Sequence, residues 1–227
     1  MKQFKIRSSQ SAKIVSNGKG SDISAGAKTY CQNWAKEQLY NRRNEFTSEY
    51  TQKGNEVEDE SIDFVANYYN LGFVIKNDEF FENEWITGTP DVITPNVIID
   101  VKNSWDCFTF PLFDTKIPKP DYYWQAQSYM DLLGINEYWL IYTLINTPEH
   151  LIESEARSWS FKNGYEQLDQ DVYERFHKQM TYDSIHDKLK IKRFIIRRNQ
   201  DDIDKLHNKV TDCRAWIKSN LDQFLTQ

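Results

Sequence analysis

Cysteine is scarce and scattered in this chain of 227 residues: Cys31, Cys107 and Cys213 are odd in number and far apart. A disulfide scaffold or a four-cysteine metal site is thereby excluded, and a reducing cytoplasm is the natural compartment. His150, His177, His186 and His207 show no HExxH-type spacing, which argues against a zinc enzyme of that kind. There is no GxSxG elbow for a hydrolase serine. Gly26-Ala27-Lys28-Thr29 approaches a phosphate loop, but Ala27 separates the glycine from the lysine and no apolar strand precedes it. No window reaches the ~18 apolar residues of a membrane span, so no membrane association is expected. The basic N-terminus has no apolar stretch behind it and does not read as a signal peptide. Internal repeats and low-complexity tracts are absent as well.

What the chain has in quantity is aromatic and charged residues. Seven Trp, 13 Tyr and 13 Phe exclude a disordered chain. Lys and Arg total 28 against 34 Asp and Glu, a formal net charge of −6. Taken as a total, that speaks against a nucleic-acid partner, but the cations are unevenly spread. Lys2, Lys5, Arg7, Lys13 and Lys19 occupy residues 1–20 without any acid. Lys188, Lys190, Lys192, Arg193, Arg197 and Arg198 place six cations in eleven residues, again with no acid between them. In a strand, Lys188, Lys190 and Lys192 share one face while Arg193 and Arg197 share the other. Such a segment either contacts phosphates or is an edge strand protected by lysines.

Periodicity and turn signals predict helices over about 25–45 and 55–70, then strands at Phe73-Val74-Ile75, Trp85 to Ile93 and Val97 to Val101. Turn signals fall at Gly88 and at Thr94-Pro95-Asn96. A helix near 121–133 ends at Gly134. Tyr138 to Ile145 reads as a buried strand, 165–188 as a polar helix, 189–198 as a basic strand and 200–225 as a closing amphipathic helix. The order implies an α/β chain with a small mixed sheet flanked by helices.

The chemistry concentrates in Gly88-Thr89-Pro90-Asp91-Val92-Ile93-Thr94-Pro95-Asn96-Val97-Ile98-Ile99-Asp100-Val101-Lys102. Strand alternation points Val97, Ile99 and Val101 one way and Ile98, Asp100 and Lys102 the other. With Pro95-Asn96 as a two-residue hairpin loop, residues whose numbers sum to 191 are opposed, so Asp91 faces Asp100. Opposed residues have Cβ atoms ~5 Å apart, and two carboxylates so close repel unless a proton or cation intervenes. A divalent metal resolves that, and Mg²⁺ typically takes one or two carboxylates plus water and phosphate. A hairpin with one solvated face is the alternative.

Within 55–70, a helical wheel at about 100° per residue sets Val57, Ile62, Phe64, Val65, Ala66, Tyr68 and Tyr69 on one arc. Glu56, Asp59, Glu60 and Asp63 fall outside it, whereas Glu58 falls in its middle. A carboxylate among apolar neighbours costs several kcal/mol unless it is paired, metal-bound or reaching water at the helix start. In helix 121–133, Gln125 and Tyr129 share a face at i, i+4, flanked by Gln127.

Taken together, these motifs resemble the PD-(D/E)XK nuclease superfamily: Pro90-Asp91, eight residues, then Asp100-Val101-Lys102. The branch resembled is that of lambda exonuclease, the YqaJ-type phage exonucleases and the RecB nuclease domain. Its helical GxxxE matches Gly54-Asn55-Glu56-Val57-Glu58, and its Gln-bearing helix matches Gln125-Ala126-Gln127 with Tyr129. Arg7-Ser8-Ser9-Gln10-Ser11-Ala12-Lys13-Ile14 looks like its N-terminal Ser-containing, phosphate-touching segment. Asp100 stands where Glu is commoner, and three scattered cysteines exclude the iron–sulfur subtype.

The resemblance implies a restriction-endonuclease-like core over 1–227 as a single nuclease domain, with a basic arm at 1–20 and a helical part at 164–227 containing one basic strand. It implies metal-dependent hydrolysis of DNA phosphodiesters. Asp91, Asp100, the Val101 carbonyl and Glu58 would hold Mg²⁺, for which Mn²⁺ would substitute; Lys102 would orient or deprotonate water, and Gln125 would contact water or substrate. Arg7, Ser9, Ser11, Tyr129, Lys192 and Arg193 would contact DNA. The activity implied first is phage-type exonucleolytic resection of linear double-stranded DNA in recombination or repair, with a strand-annealing partner and a possible homo-oligomer. A restriction- or nicking-type endonuclease and a non-catalytic DNA-binding module on the same fold are the alternatives. Trp105, Phe108 and Phe110, just past the strand, are candidates for a DNA channel, an oligomer contact or core.

Overall fold

A computed structural model describes residues 2–19, 23–43 and 48–225. In chain order the strands are β1 (Ile6–Arg7), β2 (Phe81–Glu82), β3 (Ile86–Gly88), β4 (Val92–Ile93), β5 (Ile98–Asn103), β6 (Glu137–Thr143) and β7 (Ile191–Arg197). The helices are α1 (Ala12–Val15), α2 (Ala25–Tyr40), α3 (Glu49–Glu56), α4 (Glu58–Tyr69), α5 (Pro120–Leu133), α6 (Glu149–Lys162), α7 (Gln170–Met180) and α8 (Gln200–Leu225). One sheet has the order β4-β5-β6-β7, with β5 and β6 parallel and the other neighbours antiparallel. A second, smaller sheet has the order β1-β3-β2. This is the mixed α/β architecture the element order implies.

The β4–β5 hairpin has the register expected of its two-residue turn: Val92 pairs with Ile99 and Ile93 with Ile98. Alternation along β5 then sorts its side chains between two helices. Ile98 faces α5, packing with Ala126, Met130 and Tyr138; Ile99 and Val101 face α4, packing with Ile62 and Val65. Sandwiched between these helices, β6 is apolar on both faces, as its continuous apolar run predicts. Pro120 opens α5 and Gly134 closes it in the left-handed conformation at φ 69°, where a glycine is least strained.

Elsewhere the structure departs from the sequence reading. The 55–70 segment is two helices, broken at Val57 (φ −100°, ψ 9°), and a capping box between Ser48 and Thr51 starts the first of them. Phe73-Val74-Ile75 is not a strand: Phe73 is 91% exposed, and nearby the Asn77 N–H bonds the Asp91 carbonyl instead of joining a ladder. Helix α6 was not anticipated, and of the polar 165–188 stretch only α7 and a short 3-10 turn are helical. The last residues of the expected 25–45 helix lie outside the described residues.

The basic N-terminal segment is not a free arm. Phe4, Ile6 and Ile14 are buried in a core shared with Cys31 and Trp34 of α2 and Leu206 and Val210 of α8. Apolar residues interleaved among the cations anchor it, and Arg214 of α8 donates to the Phe4 carbonyl at 2.9 Å.

Candidate active site

Asp100 lies in the middle of β5 and is 1% exposed. Its Oδ1 accepts a hydrogen bond from Nε2 of Gln125, at 3.0 Å, because α5 lies on this face of the sheet. Its Oδ2 is held by the Lys102 ammonium at 2.7 Å. Lys102 is on the same face two residues along, and its Nζ lies 5.5 Å from the Tyr122 ring centroid.

Asp91 sits just before β4, where regular pairing has ended, and its Oδ2 accepts the Val101 N–H at 2.9 Å. Burial, and then the charge of Asp100, push the Asp91 carboxyl up to about 7, although Lys102 and the Val101 N–H pull the other way. Burial alone would lower the Lys102 ammonium, but the charges of Asp100 and Asp91 outweigh it and hold its pKa well above the usual lysine range. Lys102 thus stands in this arrangement as a cation paired with Asp100.

Glu58 occupies the first turn of α4 and is half-buried, while Glu56, Asp59, Glu60 and Asp63 are exposed, as the helical wheel separates them. Lys76 reaches it from the loop before β2, with Nζ 2.8 Å from Oε2. Glu58, Asp91, Val101 and Lys102 line one cavity of about 690 Å³. Carboxylates and a strand carbonyl are hard-oxygen groups of the kind Mg²⁺ takes together with water. Among the described residues, no three His, Cys, Asp or Glu side chains form a ready-made metal cage.

The expected DNA-contacting residues divide. Arg7, Ser9 and Tyr129 line a second cavity of about 740 Å³, together with Arg42 and Thr89. Arg7 is ion-paired with Glu37, Ser9 is exposed, and the Tyr129 hydroxyl donates to the Thr89 carbonyl at 3.0 Å. Ser11 departs from expectation: it is fully buried and bonded to Ser128 at 2.6 Å, because α5 packs over this turn. Lys192 donates to the Leu112 carbonyl at 3.2 Å, and Arg193 lies over the rings of Tyr69 and Trp139. Both are on the edge strand β7, in keeping with the lysine-protected-edge reading. Gln127 belongs to another face of α5, where it fastens the end of β7 through Arg197 and Asn199.

Sequence reasoning missed four neighbours. Asn103 accepts hydrogen bonds from Ser61 and Thr143 on its side-chain oxygen. Lys53 is buried one residue before Gly54, and Lys76 sits in a loop without periodicity. Gly88, read as a turn, is a strand residue whose missing Cβ leaves room for Tyr129 and Ser8. The proximity of Lys53 to the GxxxE motif was the only local signal for any of them.

The mixed α/β fold is the one expected of a restriction-endonuclease-like chain. No family model and no curated protein matches the chain. Solved structures do. A phage-related exonuclease from Haemophilus somnus 129PT is 28% identical and aligns over 98% of this chain and 97% of its own, with a TM-score of 0.79. LHK-Exo, an alkaline exonuclease from Laribacter hongkongensis, is 14% identical, with 98% of this chain and 92% of its own covered and a TM-score of 0.66. LHK-Exo in complex with dAMP aligns over 97% of this chain and 91% of its own, at 16% identity and a TM-score of 0.64. LHK-Exo shares the fold; the first of these shares sequence as well. Structural relatives of this chain thus include a phage-related exonuclease and an alkaline exonuclease, in line with the exonuclease branch the motifs resemble.

Proposed function

We propose that this chain is a divalent-metal-dependent deoxyribonuclease that degrades linear double-stranded DNA from its ends. The observation that carries this reading is the placement of Asp91 and Lys102 at one cavity, with buried Asp100 paired to Lys102 and held by Gln125 from α5. The 28% identical phage-related exonuclease, alike over nearly its whole length, supports it, as does a nucleotide, dAMP, bound to LHK-Exo.

Asp91, Asp100, the Val101 carbonyl and Glu58 would hold Mg²⁺ or Mn²⁺. Bound there, the metal would lower the pKa of its water and offset charge on the phosphoryl oxygens. Lys102, as an ammonium, orients the attacking water or a phosphate oxygen. Gln125 fixes the Asp100 carboxylate through Oδ1 and would contact the water or substrate. Arg7 and Ser9 line the second cavity together with Thr89 and Tyr129, and it suits the phosphate of a DNA end. We assign the whole chain to this one nuclease activity, acting in phage-type recombination or repair in the cytoplasm, with a strand-annealing protein and copies of itself as partners.

Linear duplex labelled at its 5′ or 3′ end, digested with Mg²⁺, tests this directly. Stepwise loss of one label is expected, abolished by Asp100→Ala and by Lys102→Ala. Undiminished cleavage by either variant would overturn the assignment, and cutting of covalently closed circular DNA would make the enzyme an endonuclease.

A further inference from the structure

Among the described residues, β4 pairs with β5 only at Ile98 and Ile99, so the residues that follow β5 have no strand beside them on that edge. Backbone carbonyls buried there need donors from elsewhere, and Lys53 of α3 supplies them. Lys53 is 1% exposed, and its Nζ donates to the carbonyls of Ser104 and Trp105 at 2.8 Å each. The long stem of lysine lets one helix position reach both oxygens. At its other end, the Lys53 carbonyl accepts the Val57 N–H at 3.0 Å, at the break between α3 and α4. Glu58 is the next residue. A single lysine therefore grips, with side chain and backbone, both the chain leaving β5 and the turn that launches Glu58.

A second tie runs parallel to it. Ser61, three residues after Glu58 and fully buried, donates to Oδ1 of Asn103, which also accepts from Thr143 of β6. The cavity at the candidate active site opens along this seam: Gly54 and Glu58 line it from the helices, Val101 and Lys102 from β5. A buried ammonium gives up its hydration at a cost, and here the bonds it makes join the two walls that carry the expected metal ligands.

Resting on the nuclease reading above, we propose that Lys53 is a positioning residue of the metal site: by fastening α3 to the residues that follow β5, it fixes where Glu58 stands relative to Asp91 and the Val101 carbonyl. It touches no reacting group and acts through Glu58. The test is the Mg²⁺ affinity of the intact chain, read from thermal unfolding across a Mg²⁺ titration, with single-turnover cleavage of linear duplex alongside. Lys53→Met keeps an unbranched side chain and removes the donors. It is expected to weaken Mg²⁺ binding roughly tenfold or more and to slow cleavage similarly, as loss of a group that orients a metal ligand does. In a Glu58→Gln background the same substitution should cause no further loss of Mg²⁺ affinity, because the ligand it acts through is gone. A lysine with a merely structural role would weaken both backgrounds equally. That result, or wild-type Mg²⁺ affinity in Lys53→Met, would overturn the proposal while leaving the nuclease. Should Lys53→Met not fold, Ser61→Ala decides in the same two backgrounds, since it cuts the parallel tie without unpairing a charge; weaker Mg²⁺ binding only where Glu58 is present is expected, and any other result overturns the proposal. A wild-type protein that leaves linear duplex uncut in Mg²⁺ would overturn both readings.

Discussion

Gln125 donates its side-chain amide to Oδ1 of Asp100 across 3.0 Å, joining α5 to β5 beneath the cavity. Gln125→Ala strands a buried carboxylate oxygen, and an unsatisfied buried acceptor costs about 1–3 kcal/mol. Urea unfolding of the metal-free variant should show a loss of that order, together with reduced DNA cleavage. Unchanged stability would mean that the bond contributes nothing to the site.

Asp91 gives a signed pH dependence. Its folded carboxyl titrates at about 7 against an ordinary 3.8, chiefly because it is buried and then because Asp100 is near. A raised acid binds its proton more tightly in the folded state, so its contribution is present below pH 3.8 and is lost as pH rises through about 7. Asp91→Asn, which keeps an acceptor for the Val101 N–H, should therefore be inactive yet more stable than the wild type at pH 8. The advantage should shrink as the pH is lowered towards 4, as thermal unfolding without metal would show.

Metal addition should act on the same carboxylates. Mg²⁺ at about one hundred times its Kd is expected to stabilise the wild type by about 2.7 kcal/mol, and EDTA to reverse the effect. Asp91→Asn and Asp100→Asn should respond far less in the same thermal-shift titration. An equal response in all three proteins would place the cation elsewhere.

Gly88 is required for close packing. A Cβ there would lie 2.6 Å from Tyr129 Cε1 and 2.9 Å from Ser8 Oγ. Tyr129 has little room to retreat, being stacked against Tyr138 and tied to the Thr89 carbonyl. Gly88→Ala should cost about 1–3 kcal/mol, as overpacking does. Adding Ser8→Ala should recover part of the loss in chemical denaturation, since it removes one of the two clashing groups.

The hairpin register was legible because a two-residue turn at Pro95-Asn96 dictates which residues pair, and the helical wheel separated half-buried Glu58 from its exposed neighbours because that division is periodic. Phe73-Val74-Ile75 misled because apolar residues can line a loop whose polar groups bond elsewhere. The N-terminal segment misled because its cations outnumber the few apolar residues that bury it. Lys76 beside Glu58, Lys53 beneath Trp105 and buried Ser11 against Ser128 join residues distant in the chain, which no local period records.

By itself, the order of residues determined that Asp100 and Lys102 share a face of β5, that Asp91 stands opposite, and that a helix bounded by Pro120 and Gly134 carries Gln125. Those features follow from strand alternation, turn length and helix termini, which act over a few residues. The tertiary structure alone decided that α5 covers this face, that the Lys102 cation lies against a buried Asp100, and that the basic residues of β7 are bound by the protein itself. These depend on which distant surfaces pack together and on how far burial strengthens charge, quantities that arise only once the chain has folded.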